Sequence, residues 1–419
     1  MRTACFTLFL LFGAAAIGGA QDSTQPAGSR DPAPTTAVPS GLIAEPHIIS
    51  RGIDLAAGAR DRGNAPTDGF YPELGNLITG DGWISAGPGY RHRLFGGHAL
   101  VDGSAAISWR DYKMARGGFE LPDLARGRVA VGSEVRWEDY TQVNYFGIGT
   151  NSLESDRSEY RLKTVDVVGY ASVKPTEWLS IGGRFGLLKQ PTLSSAAGPF
   201  DRGFQNALQA FPLDPGVGDP TRYLHGDASI AVDTRDHPEY PAYGGLYRAA
   251  AAQYSDRQTG QFSFRRYEVE GAQFIPFMDR KWVLALHGWG VFSDTSSNDQ
   301  VPFYLLPSLG GHDTLRGYYD FRFHDRNLLV ANVESRWALF SAVDIAAFVD
   351  AGNVAARVGD LNIDKRSYGL GIRAHSRTST LARIDVGHST EGWRFFVKLS
   401  DPFGFSRLSR KAADVPFVP

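Results

Sequence analysis

Long stretches of this chain alternate apolar and polar residues with a period of two, and one of the two faces is charged. From Val129 the apolar face reads Val129, Val131, Ser133, Val135 and Trp137, against Arg128, Ala130, Gly132, Glu134, Arg136 and Glu138. Tyr368, Leu370 and Ile372 alternate with Gly369, Gly371 and Arg373, and Trp393, Phe395 and Val397 with Arg394, Phe396 and Lys398. Such segments are strands. No window carries a sustained amphipathic helix, and no apolar run reaches the roughly 18 residues of a spanning helix. A soluble sandwich also alternates, but its dry core would not tolerate so many charges. The segments run about 9–15 residues, the length of a tilted membrane strand. Trp109, Tyr112, Trp137, Tyr140, Trp178, Trp282, Trp337 and Trp393 lie near segment ends, where interfacial girdles form.

About fourteen such segments can be read directly. They cover 82–93, 98–113, 125–140, 157–174, 178–189, 222–235, 245–256, 262–275, 281–293, 326–340, 342–349, 366–376, 380–388 and 392–400. One or two weaker strands are expected within 47–80, for example Ile48 to Ala57. Threaded up and down, the tight joints at 174–177, 276–281, 340–342 and 376–379 share one end. The long joints 189–221, 294–325 and 350–365 share the other. Membrane barrels have short periplasmic turns and long external loops. The expected fold is therefore all-β: a transmembrane antiparallel up-and-down β-barrel with both ends in the periplasm.

The N-terminus reads as an address. Met1-Arg2 is a positive start, Ala4 to Ala16 an apolar core, and Gly18-Gly19-Ala20 a small-residue cleavage site. The single cysteine, Cys5, would leave with this signal peptide (1–20), which excludes a disulfide framework and a cysteine-based metal site. Residues 21–46, rich in Pro, Ala, Ser and Thr, read as a flexible linker, 47–405 as the barrel and 406–419 as a tail. A net charge of -2 argues against nucleic acid as a partner and leaves outer-membrane lipid as the expected surroundings.

The most distinctive stretch is Leu309-Gly310-Gly311-His312-Asp313-Thr314-Leu315-Arg316-Gly317-Tyr318, in a long external loop. Downstream come Asn332-Val333-Glu334-Ser335-Arg336 and Phe348-Val349-Asp350-Ala351-Gly352. Parity puts Asn332, Glu334 and Arg336 on one face of a strand and Phe348 and Asp350 on one face of the next, so Glu334 and Asp350 both face the lumen. An arginine on a loop folded into the barrel would bond both, bidentate to at least one.

Leu-Arg-Gly-Tyr in the long loop, a lumenal glutamate on the next strand and Phe-x-Asp-x-Gly on the following one resemble the barrel of the BamA/TamA superfamily. This is the bacterial surface antigen barrel, shared with two-partner secretion transporters. Asp233-Thr234-Arg235-Asp236 with Pro238, Pro241 and Gly244 resembles its mid-barrel turn. Tyr145-Phe146-Gly147-Ile148-Gly149 resembles its aromatic-Gly-x-Gly loop. The resemblance covers roughly 140 to 405 and implies roughly sixteen strands. It implies that Arg316 locks the loop with Glu334 and Asp350 as lumenal partners, beside Tyr318. Gly317 would allow the tight loop tip. Gly310, Gly311, Phe348, Gly352, Asp233, Arg235 and Asp236 are its structural residues.

Two features depart from the family pattern. Residues 21–80 are too few for a periplasmic POTRA domain plus a linker and the first strands. The last strand is followed by further residues, which leaves Phe403 or Phe405 as a non-terminal assembly signal.

The implied function is insertion or translocation of polypeptides at the outer membrane, with a separate periplasmic receiving protein and polypeptide clients, and a barrel seam that opens sideways. The alternative is a passive channel or structural surface antigen on the same barrel. A barrel enzyme is the least favoured reading. There is no Gly-x-Ser-x-Gly, His-Glu-x-x-His or P-loop. His388 and Ser389, adjacent on a strand, point to opposite faces. Asp54, Asp61 and Asp68 lack calcium-loop spacing. His237 and His312 read as turn-capping residues. No cofactor and no metal are expected.

Overall fold

The computed structural model describes residues 41–43, 46, 47, 49–53, 57, 58, 68–74, 84–199, 203–376, 379–399 and 403. The expected signal peptide, nearly all of the linker, the tail and Phe405 lie outside the described residues.

Among the described residues, sixteen strands follow one another to form an antiparallel meander. They are β1 (Gly69–Leu74), β2 (Ser85–Leu94), β3 (Ala99–Ser108), β4 (Lys113–Asp123), β5 (Val129–Tyr145), β6 (Ser158–Thr176), β7 (Leu179–Ser195) and β8 (Tyr223–Asp233). Then come β9 (Gly244–Asp256), β10 (Phe264–Phe277), β11 (Trp282–Thr295), β12 (Asn327–Phe340), β13 (Val343–Ala355), β14 (Lys365–His375), β15 (Thr380–Ser389) and β16 (Gly392–Lys398). Each inner strand pairs antiparallel with both sequence neighbours, so the sheet is an up-and-down meander. The end strands β1 and β16 pair with β2 and β15.

Two strands differ from the sequence reading. The expected segment 98–113 is β3, a turn at 109–112, and the start of a separate strand, β4. Gly117 and Gly118 interrupt the alternation there and hide β4. Around Ile48 to Ala57 the described residues are helical rather than extended. The early strand in 47–80 is β1, where Pro72 and Glu73 blur the pattern.

Burial follows parity. On β12, Asn332, Glu334 and Arg336 are buried while Ala331, Val333 and Trp337 are exposed. On β13, Asp344, Phe348 and Asp350 are buried and Ile345 and Val349 exposed. The exposed face is the lipid-facing one, because a carboxylate in hydrocarbon would be far costlier than a valine. Trp109, Trp137, Trp178, Trp337 and Trp393 are exposed as a girdle requires, but Tyr112 and Tyr140 are not. These two face inward and meet edge to face at 5.0 Å. Parity along β5 carries Tyr140 with Glu138 into the lumen, where their side chains are hydrogen-bonded at 3.2 Å.

The joints after β6, β10, β12 and β14 lie at one end of the sheet and those after β7, β11 and β13 at the other. The short turns 109–112 and 390–391 also fall at the long-loop end, so the sorting is strong but incomplete. Segment 301–325 is buried almost throughout. Its Phe303, Tyr304, Leu305 and Phe321 pack with Tyr112, Tyr140, Tyr145 and Tyr160 of the inner wall. This loop is folded inward as part of the core.

Candidate functional site

The inward loop turns twice before reaching its arginine. Ser308–Leu309 pairs with Phe323–His324, closing a small hairpin. Gly310 and Gly311 have φ of +114° and +96°, a backbone that only glycine adopts without strain. Their amides bond Thr314 Oγ1 at 2.9 Å and Leu315 O at 3.2 Å. Leu315 and Tyr318 are buried with Leu309, Phe323, Leu328 and Val330, which fixes the loop against β12. Arg316 projects between them into the lumen wall.

Arg316 is 1% exposed. Its Nε donates to Asp350 Oδ2 at 3.0 Å and its Nη2 to Asp350 Oδ1 at 2.8 Å, a bidentate pair. Its backbone amide donates to the same carboxylate at 3.0 Å. Its Nη1 donates to Glu334. The guanidinium carbon lies 3.5 Å from the Phe348 ring centroid.

The cluster extends beyond the expected residues. Arg336 Nε and Arg373 Nη2 donate to Glu334 at 2.8 and 2.9 Å. Asn332 Nδ2 donates to Asp350 Oδ1 at 2.9 Å and Ser367 Oγ to Oδ2 at 3.3 Å. Arg373 also pairs with Asp385 at 2.7 Å, and Arg383 joins Asp385 and Asp313, each at 2.8 Å. Arginines 316, 336, 373 and 383 thus face carboxylates 334, 350, 385 and 313, and every one of these charges has an opposite neighbour. That balance is what lets so many charges be buried. Arg336 was placed on the right face by parity, but nothing marked Arg373, Arg383 or Asp385 as members. The available signal was that all three are charged residues at lumenal positions of β14 and β15.

Gly317 serves a different purpose from the one expected. Its φ is not left-handed, but a Cβ there would sit 2.6 Å from Ser367 Cβ and 2.7 Å from the His388 carbonyl carbon. It allows close approach to the wall. Gly352 is similar, since its Cβ would meet Leu329 O at 2.5 Å. Tyr318 OH lies 3.3 Å from Thr390 Oγ1.

His312 bridges two carboxylates, with Asp320 Oδ1 2.6 Å from Nδ1 and Asp313 Oδ2 3.1 Å from Nε2. Burial disfavours its charge, but the two carboxylates outweigh that and raise its pKa. It joins the loop's limbs rather than simply capping a turn.

The other motif loops lie elsewhere. Phe146 and Gly149 meet the inward loop from the β5–β6 connection: Gly149 N donates to His324 O at 2.7 Å, and Arg322 lies 4.6 Å over Phe146. Asp233, Arg235 and Asp236 occupy the β8–β9 turn, away from Arg316. Arg235 Nη2 donates to Asp233 Oδ2 at 2.7 Å, and Asp236 Oδ1 accepts from the amides of His237, Ala242 and Tyr243 at 3.0–3.1 Å. This turn reaches β13 to β15, stacking Tyr240 on His375 at 3.9 Å and accepting from Thr380 N through Glu239 O at 3.2 Å. His237 takes part in this turn through its backbone amide.

A family model described as the Omp85 superfamily domain matches residues 118–389. The chain belongs to the Omp85 superfamily. Its fold resembles BamA from Haemophilus ducreyi lacking POTRA domains 1–3, with a TM-score of 0.59 at 15% identity, covering 79% of this chain and 70% of that one. CdiB from Escherichia coli aligns with a TM-score of 0.52 at 12% identity, covering 78% and 61%. CdiB from Acinetobacter baumannii aligns at 0.48 and 14%, covering 79% and 59%. At these identities the likeness is one of fold, and the chain spans under two-thirds of either CdiB chain. Curated proteins contain no sequence match.

As an Omp85 barrel the chain resides in the bacterial outer membrane, in a family whose members insert or translocate polypeptides and are not enzymes. Ser389 and His388 of this Omp85 chain lie on opposite faces: Ser389 Oγ donates inward to Gly317 O at 2.7 Å, while His388 packs against Trp393 at 4.6 Å. Among the described residues no group of three or more His, Cys, Asp or Glu is arranged to hold a metal ion. Among them, too, no helix is long and apolar enough to cross a membrane.

Proposed function

We propose that this Omp85 barrel inserts or translocates polypeptide clients at the outer membrane, receiving them from a separate periplasmic protein. Both barrel ends then face the periplasm. One observation carries the reading: the 296–326 loop is folded inward, and its Arg316 is anchored on the wall carboxylates Asp350 and Glu334. A loop seated on wall ion pairs is an element that a gate can hold or release. A passive channel needs an open lumen, and the buried aromatic loop works against it.

The test is a quantitative comparison of outer-membrane proteomes with and without the protein, complemented by wild type or by Arg316→Ala. Selective loss of one or a few surface or barrel proteins, restored by wild type only, is expected. An unchanged proteome would overturn the reading in favour of a channel or surface antigen.

A further inference from the structure

Phe403 lies beyond Lys398, the final residue of the last strand, yet it is only 4% exposed. It packs with Leu246 of β9, Ala272 and Phe274 of β10, and Val283 and Ala285 of β11. Its ring stacks on His287 of β11 at 5.1 Å and 25°. All these positions are on the inner face of the sheet, far along it from β16. A lipid-facing aromatic at the end of the barrel would have none of these neighbours.

The ring also borders the charge cluster. The guanidinium carbons of Arg316 and Arg336 lie 6.0 and 5.9 Å from its centroid. Arg316 therefore has Phe348 on one near contact and Phe403 on a second, longer one. Placed there, the ring excludes water from one side of a cluster whose ion pairs are strong only while desolvated.

We infer that Phe403 is a positioning residue for the Arg316 cluster, coupled to it through its ring: withdrawing the ring admits water to Arg316 and Arg336, and a seated ring keeps the loop's arginine on its carboxylates. The inference rests on the proposed gating function for its purpose, but the placement and the coupling can be tested without a client.

The experiment uses the full-length barrel in detergent with Cys5→Ser. A photoreactive benzoyl-phenylalanine at position 403 is illuminated and its adducts are mapped by mass spectrometry. Adducts within 244–293 or on the Arg316 loop are expected. Adducts confined to detergent, or to other parts of the barrel, would overturn the placement. Coupling is read from a cysteine at Ala346, a fully buried inner-face position beside Phe348. Phe403→Ala is expected to speed its reaction with a small maleimide by about tenfold, because truncating a buried ring leaves a cavity next to the cluster. Phe403→Tyr, which keeps the ring, should restore protection and Phe403→Leu should restore it only in part. An unchanged rate in Phe403→Ala would overturn the coupling. Full rescue by leucine would reduce Phe403 to packing and overturn its action on the arginines. Neither result touches the proteome test, so the two readings fail separately.

Discussion

The Arg316 guanidinium lies 3.5 Å from the centre of the Phe348 ring, so the loop arginine and the first residue of the Phe-x-Asp-x-Gly motif form one contact. Asp350, two residues on along the same face, takes the arginine's edge. One strand thus supplies both the surface on which the guanidinium rests and the carboxylate that orients it.

Removing either partner of that pair leaves an uncompensated buried charge. Arg316→Ala and Asp350→Ala should each destabilise the barrel by about 3–5 kcal/mol, lowering the urea midpoint. Arg316→Lys should fall well short of wild type, since an ammonium cannot make the bidentate contact. Midpoints equal to wild type would remove the cluster's structural role.

Close approach at the loop tip makes a sharper distinction. A Cβ at Gly387 would lie 2.0 Å from the Arg316 carbonyl oxygen, whereas at Gly359 nothing lies within 4 Å. Gly387→Ala should unseat the loop and make it sensitive to added protease, and Gly359→Ala should leave it resistant. Equal protease resistance in the two variants would contradict the observed approach.

His312 gives the inward loop a pH dependence. It faces Asp313 and Asp320, with Arg383, Asp385 and Lys398 on the wall behind. Its pKa in the folded barrel is raised above 6.5, so its stabilising contribution is complete below pH 6.5 and is lost as pH rises through the raised value. Burial works against the Asp320 charge, but His312 overrides it and lowers its pKa, so that contribution fades only in acid, below 3.8. Urea midpoints measured across this upper window should fall in wild type and stay flatter in His312→Asn. Parallel curves would exclude His312 as the source.

At the tight-turn end, the stack of Tyr240 on His375 joins the β8–β9 turn to β14 at 3.9 Å and 12°. Tyr240→Ala should release this turn, with a stability loss of about 1 kcal/mol and faster cleavage near Pro238. Tyr240→Phe keeps the stack and should lie between the two. Identical cleavage in all three proteins would show that the stack does not hold the turn.

Much of this arrangement is written in alternation. Parity placed Glu334 and Asp350 on the inner face because a strand repeats every two residues, and burial falls on those positions. The inward loop stood out by its paired glycines and its arginine. What alternation could not reveal depends on distance in space. Arg373 lies on β14, and only the ladder from β12 to β15 brings it to Glu334 and Asp385, while Arg383, two residues from Asp385 on β15, meets Asp313 only because the loop folds inward. Tyr112 and Tyr140 sit near strand ends like girdle residues, but their parity is inward. β4 was missed because glycine has no side chain to show a face. Phe403 lies beyond the last periodic residue, where no local pattern points inward.

The central claim is that Arg316 keeps the 296–326 loop seated in a closed lumen. Single-channel recording of the purified barrel in a planar bilayer tests it most directly, comparing wild type with Arg316→Ala. Wild type should stay closed with rare openings, and the variant should spend much more of its time in a conducting state. A wild-type barrel that conducts continuously, with Arg316→Ala indistinguishable from it, would contradict the account.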